Sequence, residues 1–147
     1  MPVALPDVNV LLALMDSTHQ HHEAANTWFA YAGQNGWATC PLTENGFVRI
    51  VSSPSYPGAS ITPEQALILL DSLVQNFLST HHFWQDSISL RDRTIIKTKA
   101  IIGHRQLTDI YLLGLCQQNG GTLVTLDLSI STTAIVSSRP DLVNVLG

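Results

Sequence analysis

Gln106-Leu107-Thr108-Asp109-Ile110-Tyr111-Leu112-Leu113-Gly114-Leu115-Cys116-Gln117-Gln118-Asn119-Gly120-Gly121-Thr122-Leu123-Val124-Thr125-Leu126-Asp127 holds a helix, a stop and a strand in succession. Residues 106–119 have the length and apolar spacing of a helix, and Gly120-Gly121 supplies its C-terminal stop. Thr122-Leu123-Val124-Thr125-Leu126 is β-branched and apolar, the composition of a buried strand, and it ends in an acid, Asp127. The same strand-then-acid pattern opens the chain, where Val3-Ala4-Leu5-Pro6 runs into Asp7 despite the proline. A short apolar helix follows over 8–15, then a longer one over 19–34 that Gly33 and Gly36 end. Trp37-Ala38-Thr39-Cys40 reads as a second strand and 42–51 as a helix that tolerates Gly46. The Ser/Pro/Gly-rich stretch 52–60 reads as a loop. Thr62, Pro63 and Gln65 then spell an N-cap, N1 and N3 for a helix reaching about residue 79. His82-Phe83-Trp84 and Leu142-Val143-Asn144-Val145-Leu146 are further strand candidates, and 86–103 reads as polar. Strands alternating with helices specify an α/β chain with a mainly parallel sheet covered on both faces.

Composition narrows the class. The 147 residues fit one domain, and 45% hydrophobic against 12% charged excludes a disordered chain. With 11 Asp+Glu against 7 Lys+Arg, the net charge of −4 excludes a basic, histone-like nucleic-acid binder. Cys40 and Cys116 are too few for a disulfide framework and sit in apolar runs, which predicts buried free thiols. The first fifteen residues lack Lys and Arg and are broken by Asp7 and Asn9, unlike a signal peptide. No apolar stretch approaches the ~20 residues of a membrane helix, so no membrane partner and a cytoplasmic location are expected. The mean hydropathy of +0.18 predicts apolar surface covered by a partner or a second copy.

Acids are scarce, so their positions carry information. In open parallel sheets, sites form in the crevice beyond the strand C-termini. Asp7 and Asp127 each close a strand, Glu44 lies just after the second strand, and Asp109 lies one turn into the apolar 106–119 helix. Several carboxylates with few basic neighbours are what a hard divalent cation requires. Ordinary roles also exist for each. Asp7 and Asp127 suit helix N-caps, Glu44 suits the N3 position of a capping box, and Asp109 suits the positive end of a helix dipole.

Asp7-Val8-Asn9, Thr43-Glu44-Asn45-Gly46-Phe47-Val48-Arg49, Leu107-Thr108-Asp109 and Thr125-Leu126-Asp127 occur in that order. This series resembles the PIN-domain ribonucleases, and among them the VapC toxins of bacterial toxin–antitoxin pairs. The resemblance spans nearly the whole chain and is densest over 37–49 and 104–109. It implies a single three-layer α/β/α PIN-like domain over 1–147, a homodimer, and an endoribonuclease dependent on Mg²⁺ or Mn²⁺. By motif, Asp7, Glu44, Asp109 and Asp127 are the implied catalytic and metal-binding acids, with Asn9 and Thr125 as polar support. Asp7 and Asp109 are the implied direct ligands. Glu44 and Asp127 complete the shell, hold a second ion or orient the water. Metal-activated water would cut RNA to leave 5′-phosphate and 3′-hydroxyl ends. A cognate VapB-type antitoxin is the implied partner, with DNA contacted only through it. Leu128-Ser129 departs from the Arg-Gly pair that the resemblance leads one to expect after the last acid, which leaves the four acids intact and calls into question any RNA contact from that position.

Arg91, Arg93, Lys97, Lys99 and Arg105 form a basic stretch able to bind RNA phosphates or simply face water, and Arg49 near Glu44 has the same two options. His19-Gln20-His21-His22-Glu23 lacks the spacing of a zinc motif and reads as an exposed helix start. Trp28, Trp37 and Trp84 read as core or interface residues. Two rival functions share parts of this pattern. A catalytically silent PIN-fold module binding RNA or protein would not need all four acids. A phosphatase of the haloacid dehalogenase type needs a second Asp where Asn9 stands.

Overall fold

Each apolar run that enters the core must pair its backbone N–H and C=O groups as it does so. In the computed structural model, which describes residues 2–58 and 60–147, a five-stranded sheet of order β3-β2-β1-β4-β5 does this pairing. The strands are β1 (Ala4–Pro6), β2 (Trp37–Thr39), β3 (His81–Phe83), β4 (Thr122–Thr125) and β5 (Val143–Val145). Every pairing is parallel, with Ala4 opposite both Trp37 and Thr122, Trp37 opposite His81, and Leu123 opposite Val143. The proline in the central strand is accommodated because Pro6 is the last residue of β1. The ladder to β4 continues through the Asp7 N–H, 2.9 Å from the Val124 carbonyl.

Helices α1 (Val8–Met15), α2 (His22–Asn35), α3 (Pro41–Val51) and α4 (Pro63–Asn76) precede α5 (Leu107–Asn119). Asp7 starts α1 directly from β1, its Oδ1 accepting the Val10 N–H at 2.9 Å. Thr62 and Gln65 form the reciprocal box at the start of α4, at 3.1 and 2.9 Å. Gly120 stops α5 at φ +67°, a left-handed conformation that glycine adopts without strain. Leu5, Ala38 and Leu123 face α5, packing with Ile110, Leu113 and Cys116. Ala4 and Val124 face Val10 and Ala32, while Trp37 packs with Phe29 and Phe47. The sheet is therefore sandwiched between α5 and the N-terminal helices, an α/β/α arrangement in three layers.

The segment 86–103 departs from its polar reading. Ile96 is fully buried, pairs with Ile135 in an isolated antiparallel bridge, and packs with Ile88 and Ile95 against α5. Gly114 makes the room, since a Cβ there would lie 2.7 Å from Ile88 Cδ1. Trp37 and Trp84 are core residues, and Cys40 and Cys116 are buried free thiols. The exposed helix start read at 19–23 is corrected: His19, His21 and His22 are half-buried, α2 begins only at His22, and the His22 ring Nδ1 lies 2.8 Å from the Ala13 carbonyl. The loop at 52–60 is turn and bend in its described residues, Ala59 lying outside them, as does Met1. Among the described residues, no helix is long and apolar enough to cross a membrane.

The strand order positions the site. From β1 the chain moves to β2 on one side, then later returns to β4 on the other. Such a reversal opens a crevice between the C-terminal ends of the two central strands. Asp7 ends β1, and Asp127 lies two residues beyond β4.

Candidate active site

Asp7 is the buried member of this crevice. Its Oδ2 accepts the Thr125 hydroxyl at 2.7 Å, so β4 grips the acid that ends β1. Burial pushes the Asp7 carboxyl up. The Thr125 hydroxyl and Val10 N–H pull it back, and the Asp109 charge pushes it up further. Thr125 serves two acids, since its Oγ1 also accepts the Asp127 N–H at 3.1 Å.

Asp109 occupies the first turn of α5. It is half-buried, and desolvation followed by the nearby Asp127 charge pushes its carboxyl up. Asp127 is exposed and behaves in the opposite way. Ser129 donates both its hydroxyl and its N–H to Asp127 Oδ1, at 2.6 and 2.8 Å. Those bonds hold the Asp127 carboxyl below its ordinary range. The helix-cap reading of Asp127 is thereby corrected, because a turn, not a helix, follows it. Asp109, Asp127, Ser129 and Arg105 line one cavity of about 280 Å³.

Glu44 is placed differently. The α3 N-terminus is closed by Cys40 and Thr43, with the Cys40 N–H 3.1 Å from Thr43 Oγ1, so Thr43 takes the N3 role that Glu44 was expected to fill. Glu44 sits one residue further on, and its Oε2 accepts the Thr39 hydroxyl at 2.6 Å. It lines a neighbouring open groove with Arg49, Leu67 and Phe83. All four acids therefore reach the same edge of the sheet, but Glu44 does not share the cavity of Asp109 and Asp127. Asn9 is exposed on α1, while Thr125 is buried among the acids. Arg91, Arg93, Lys97, Lys99 and Arg105 are all exposed, and Arg93, Lys97 and Lys99 share one surface hollow. None of these is in an ion pair among the described residues, where the salt bridge found is Arg139 to Asp141.

Sequence reasoning missed Thr39, His81 and the anchoring role of Ser129. Thr39 closes a strand five residues before Glu44, a usable signal, whereas nothing in the sequence links His81 to either. Asp86 carries no sequence signal either, and it accepts the Tyr111 hydroxyl. Burial, reinforced by that bond, raises the pKa of the Tyr111 phenol.

The donor set is chemically suited to a hard cation. Every candidate ligand atom is a carboxylate oxygen, and Asp7, Asp109 and Asp127 are coupled in sequence by their charges. Among the described residues, no group of three or more His, Cys, Asp or Glu side chains is drawn together closely enough to hold a metal ion unaided. An incomplete protein shell accords with Mg²⁺, which is commonly held by one or two carboxylates, retained waters and substrate phosphates.

The PIN domain model matches residues 4–136. Ribonuclease VapC44 of Mycobacterium tuberculosis is 42% identical over 132 residues, covering 90% of this chain and 91% of that protein. Ribonuclease VapC39 of the same organism is 42% identical over 131 residues, covering 89% and 93%. The crystal structure of VapBC2 from Rickettsia felis bound to a promoter DNA fragment superposes with a TM-score of 0.56. That match has 18% sequence identity and covers 86% of this chain and 89% of that one, a likeness of fold. With Asp7 and Asp127 at the strand ends and this similarity over nearly its full length, the chain belongs to the PIN-domain family, among the VapC ribonucleases.

Proposed function

We propose that this protein is the toxin of a VapBC-type pair, an Mg²⁺-dependent endoribonuclease that also accepts Mn²⁺. The observation that supports this most directly is the acidic crevice. The Asp109 charge acts on Asp7 and the Asp127 charge acts on Asp109, with no neutralising ion pair among the described residues. Carboxylates left in mutual repulsion weigh against the fold, and a cation relieves that penalty.

Asp7 and Asp109 would hold the ion, with Asp127 beside them. When bound, the cation lowers the pKa of a water nucleophile and stabilises charge on the phosphate. The chain's own residues supply the rest. Thr125 keeps Asp7 oriented by donating to Oδ2, and Ser129 does the same for Asp127 at Oδ1. Arg105 stands in the wall of the acidic cavity, where its guanidinium pairs with a scissile phosphate. Glu44, with Oε2 occupied by Thr39, keeps Oε1 to orient the attacking water. The exposed Arg91, Arg93, Lys97 and Lys99 bind flanking phosphates. A VapB-type antitoxin would inhibit the enzyme, contact promoter DNA on its behalf, and cover apolar surface. The exposed Leu67, Ile68 and Phe83 are suited to such a contact or to a toxin homodimer.

The test is cleavage of a structured RNA by purified protein across an Mg²⁺ and Mn²⁺ titration, with mapping of the ends. Asp7→Asn and Asp109→Asn should each lower cleavage by more than ~100-fold without loss of the folded circular dichroism spectrum. Folded wild type that binds RNA yet cuts nothing at any divalent concentration would replace this reading with the silent binding module.

A further inference from the structure

Glu44 is held by a chain of side chains that starts on β3 and crosses β2. We propose that Thr39 and His81 are positioning residues for Glu44, joined by hydrogen bonds from His81 Nε2 to Thr39 Oγ1 and from Thr39 Oγ1 to Glu44 Oε2. This inference rests on the nuclease reading above and deepens it.

The two contacts measure 2.9 and 2.6 Å. Their direction follows from donor counting. An ionised carboxylate only accepts, so the single Thr39 proton goes to Glu44. The Thr39 oxygen must then accept, so His81 donates from Nε2. Neutral His81 in its Nε2–H tautomer satisfies this, and so does the imidazolium, so the chain does not depend on the charge of His81.

The sheet itself builds the contact. Trp37 and His81 are opposite each other across the parallel β2–β3 pair. Thr39 lies two residues after Trp37, on the same face of the sheet. That register brings residues 42 positions apart into bonding distance. The His81 ring packs on the fully buried Trp37, with centroids 4.6 Å apart, which limits its rotation. Thr39 is 0% exposed, so water does not compete for its hydroxyl. Hydrogen bonds in such surroundings are stronger than in water. At the other end, Thr43 rather than Glu44 closes the α3 N-terminus, so the Glu44 carboxylate is free to be held by Thr39. A glutamate otherwise rotates about three torsions. Here one oxygen is held by Thr39, and Oε1 is left without a protein partner among the described residues. Fixing a reactive carboxylate through a supporting shell is how sites acquire precise geometry.

The experiment compares single-turnover cleavage and RNA affinity in Thr39→Val, Thr39→Ser, His81→Leu, His81→Gln and Glu44→Gln. Thr39→Val and His81→Leu should lower the rate of cleavage by about 10–100-fold. RNA affinity should stay within about twofold, because the interaction removed serves the reaction rather than ground-state binding. Thr39→Ser and His81→Gln keep a hydroxyl and an N–H donor and should recover most of the loss. Adding Thr39→Val to Glu44→Gln should cause no further loss. A second readout is independent of activity: wild type should show a His81 Hε2 resonance protected from solvent exchange by nitrogen-edited NMR, and Thr39→Val should lose it. Full cleavage by Thr39→Val beside an inactive Glu44→Gln would overturn the positioning role alone. So would the absence of the protected resonance, or a Thr39→Ser variant as slow as Thr39→Val. Full cleavage by Glu44→Gln would overturn the assignment of Glu44 to the site, and the positioning role with it.

Discussion

Asp7 does two jobs that pull in opposite directions. As an N-cap it supports α1, accepting the Val10 N–H. As a buried carboxylate it is held above its ordinary pKa by desolvation, with the Asp109 charge adding to the effect. A carboxyl raised in the folded state favours folding at pH below the unfolded value, about 3.9. That advantage disappears as pH rises through the folded value, and ionised Asp7 then weighs against the fold. Asparagine caps a helix as well as aspartate does. In chelator-treated protein, Asp7→Asn should therefore raise stability at pH 7 by about 0.5–2 kcal/mol. The gain should shrink towards zero as pH falls to about 4. Thermal melts of both proteins at the two pH values check this, and a less stable Asp7→Asn at pH 7 would contradict it. Asp127 shows the reverse sign, since the two Ser129 bonds keep it ionised further into acid. In the Leu128-Ser129 pair that follows the last acid, it is Ser129 that fixes this carboxylate.

Among the elements, the crossing of α1 and α3 sets the separation between Asp7 and Glu44. Gly46 sits at that crossing, where an added Cβ would lie 2.7 Å from Val8 Cγ2. Val8 follows Asp7 and Gly46 follows Glu44 by two residues, so any parting of the helices moves both acids. Alanine is the better helix former by about 1 kcal/mol. Even so, overpacking costs about 1–3 kcal/mol, and Gly46→Ala should be net destabilising and slower in cleavage. Urea unfolding together with a cleavage assay measures both, and a variant more stable than wild type would show that α1 yields freely. The sequence pattern marks 42–51 as helical in spite of this glycine. Its purpose emerges once Val8 is seen packed against it.

For the molecule as a whole, charge balance links the site to its substrate. Removing the four site acids leaves 11 − 4 = 7 acids against 7 bases, so the net −4 equals the acidic site. Cations held at the proposed site would offset that charge. RNA retention on a gel should accordingly tighten when Mg²⁺ replaces chelator. Arg91, Arg93 and Lys97 are exposed, and neutralising all three should weaken binding across RNA sequences. It should also flatten the dependence of log affinity on log salt, by about 0.7 for each phosphate no longer neutralised. An unchanged slope would assign that face to solvent.

Sequence by itself determined the features that are local or inherited. Helix caps such as Thr62 with Gln65, the Gly120 stop and the strand-to-acid endings are set by hydrogen bonds within a few residues. The family motifs named the four acids. Tertiary structure decided what those acids touch. The Thr125 grip on Asp7 spans 118 residues and the His81 contact to Thr39 spans 42. Both exist because strand order and parallel register bring those side chains together across the sheet. The isoleucines of 86–103 entered the core for a related reason: they have no period of their own, and the flat patch at Gly114 on α5 provides their seat. Periodicity records which way a residue faces along its own element. Which neighbour it meets there depends on how the elements are ordered, and that separated Glu44 from the cavity of Asp109 and Asp127.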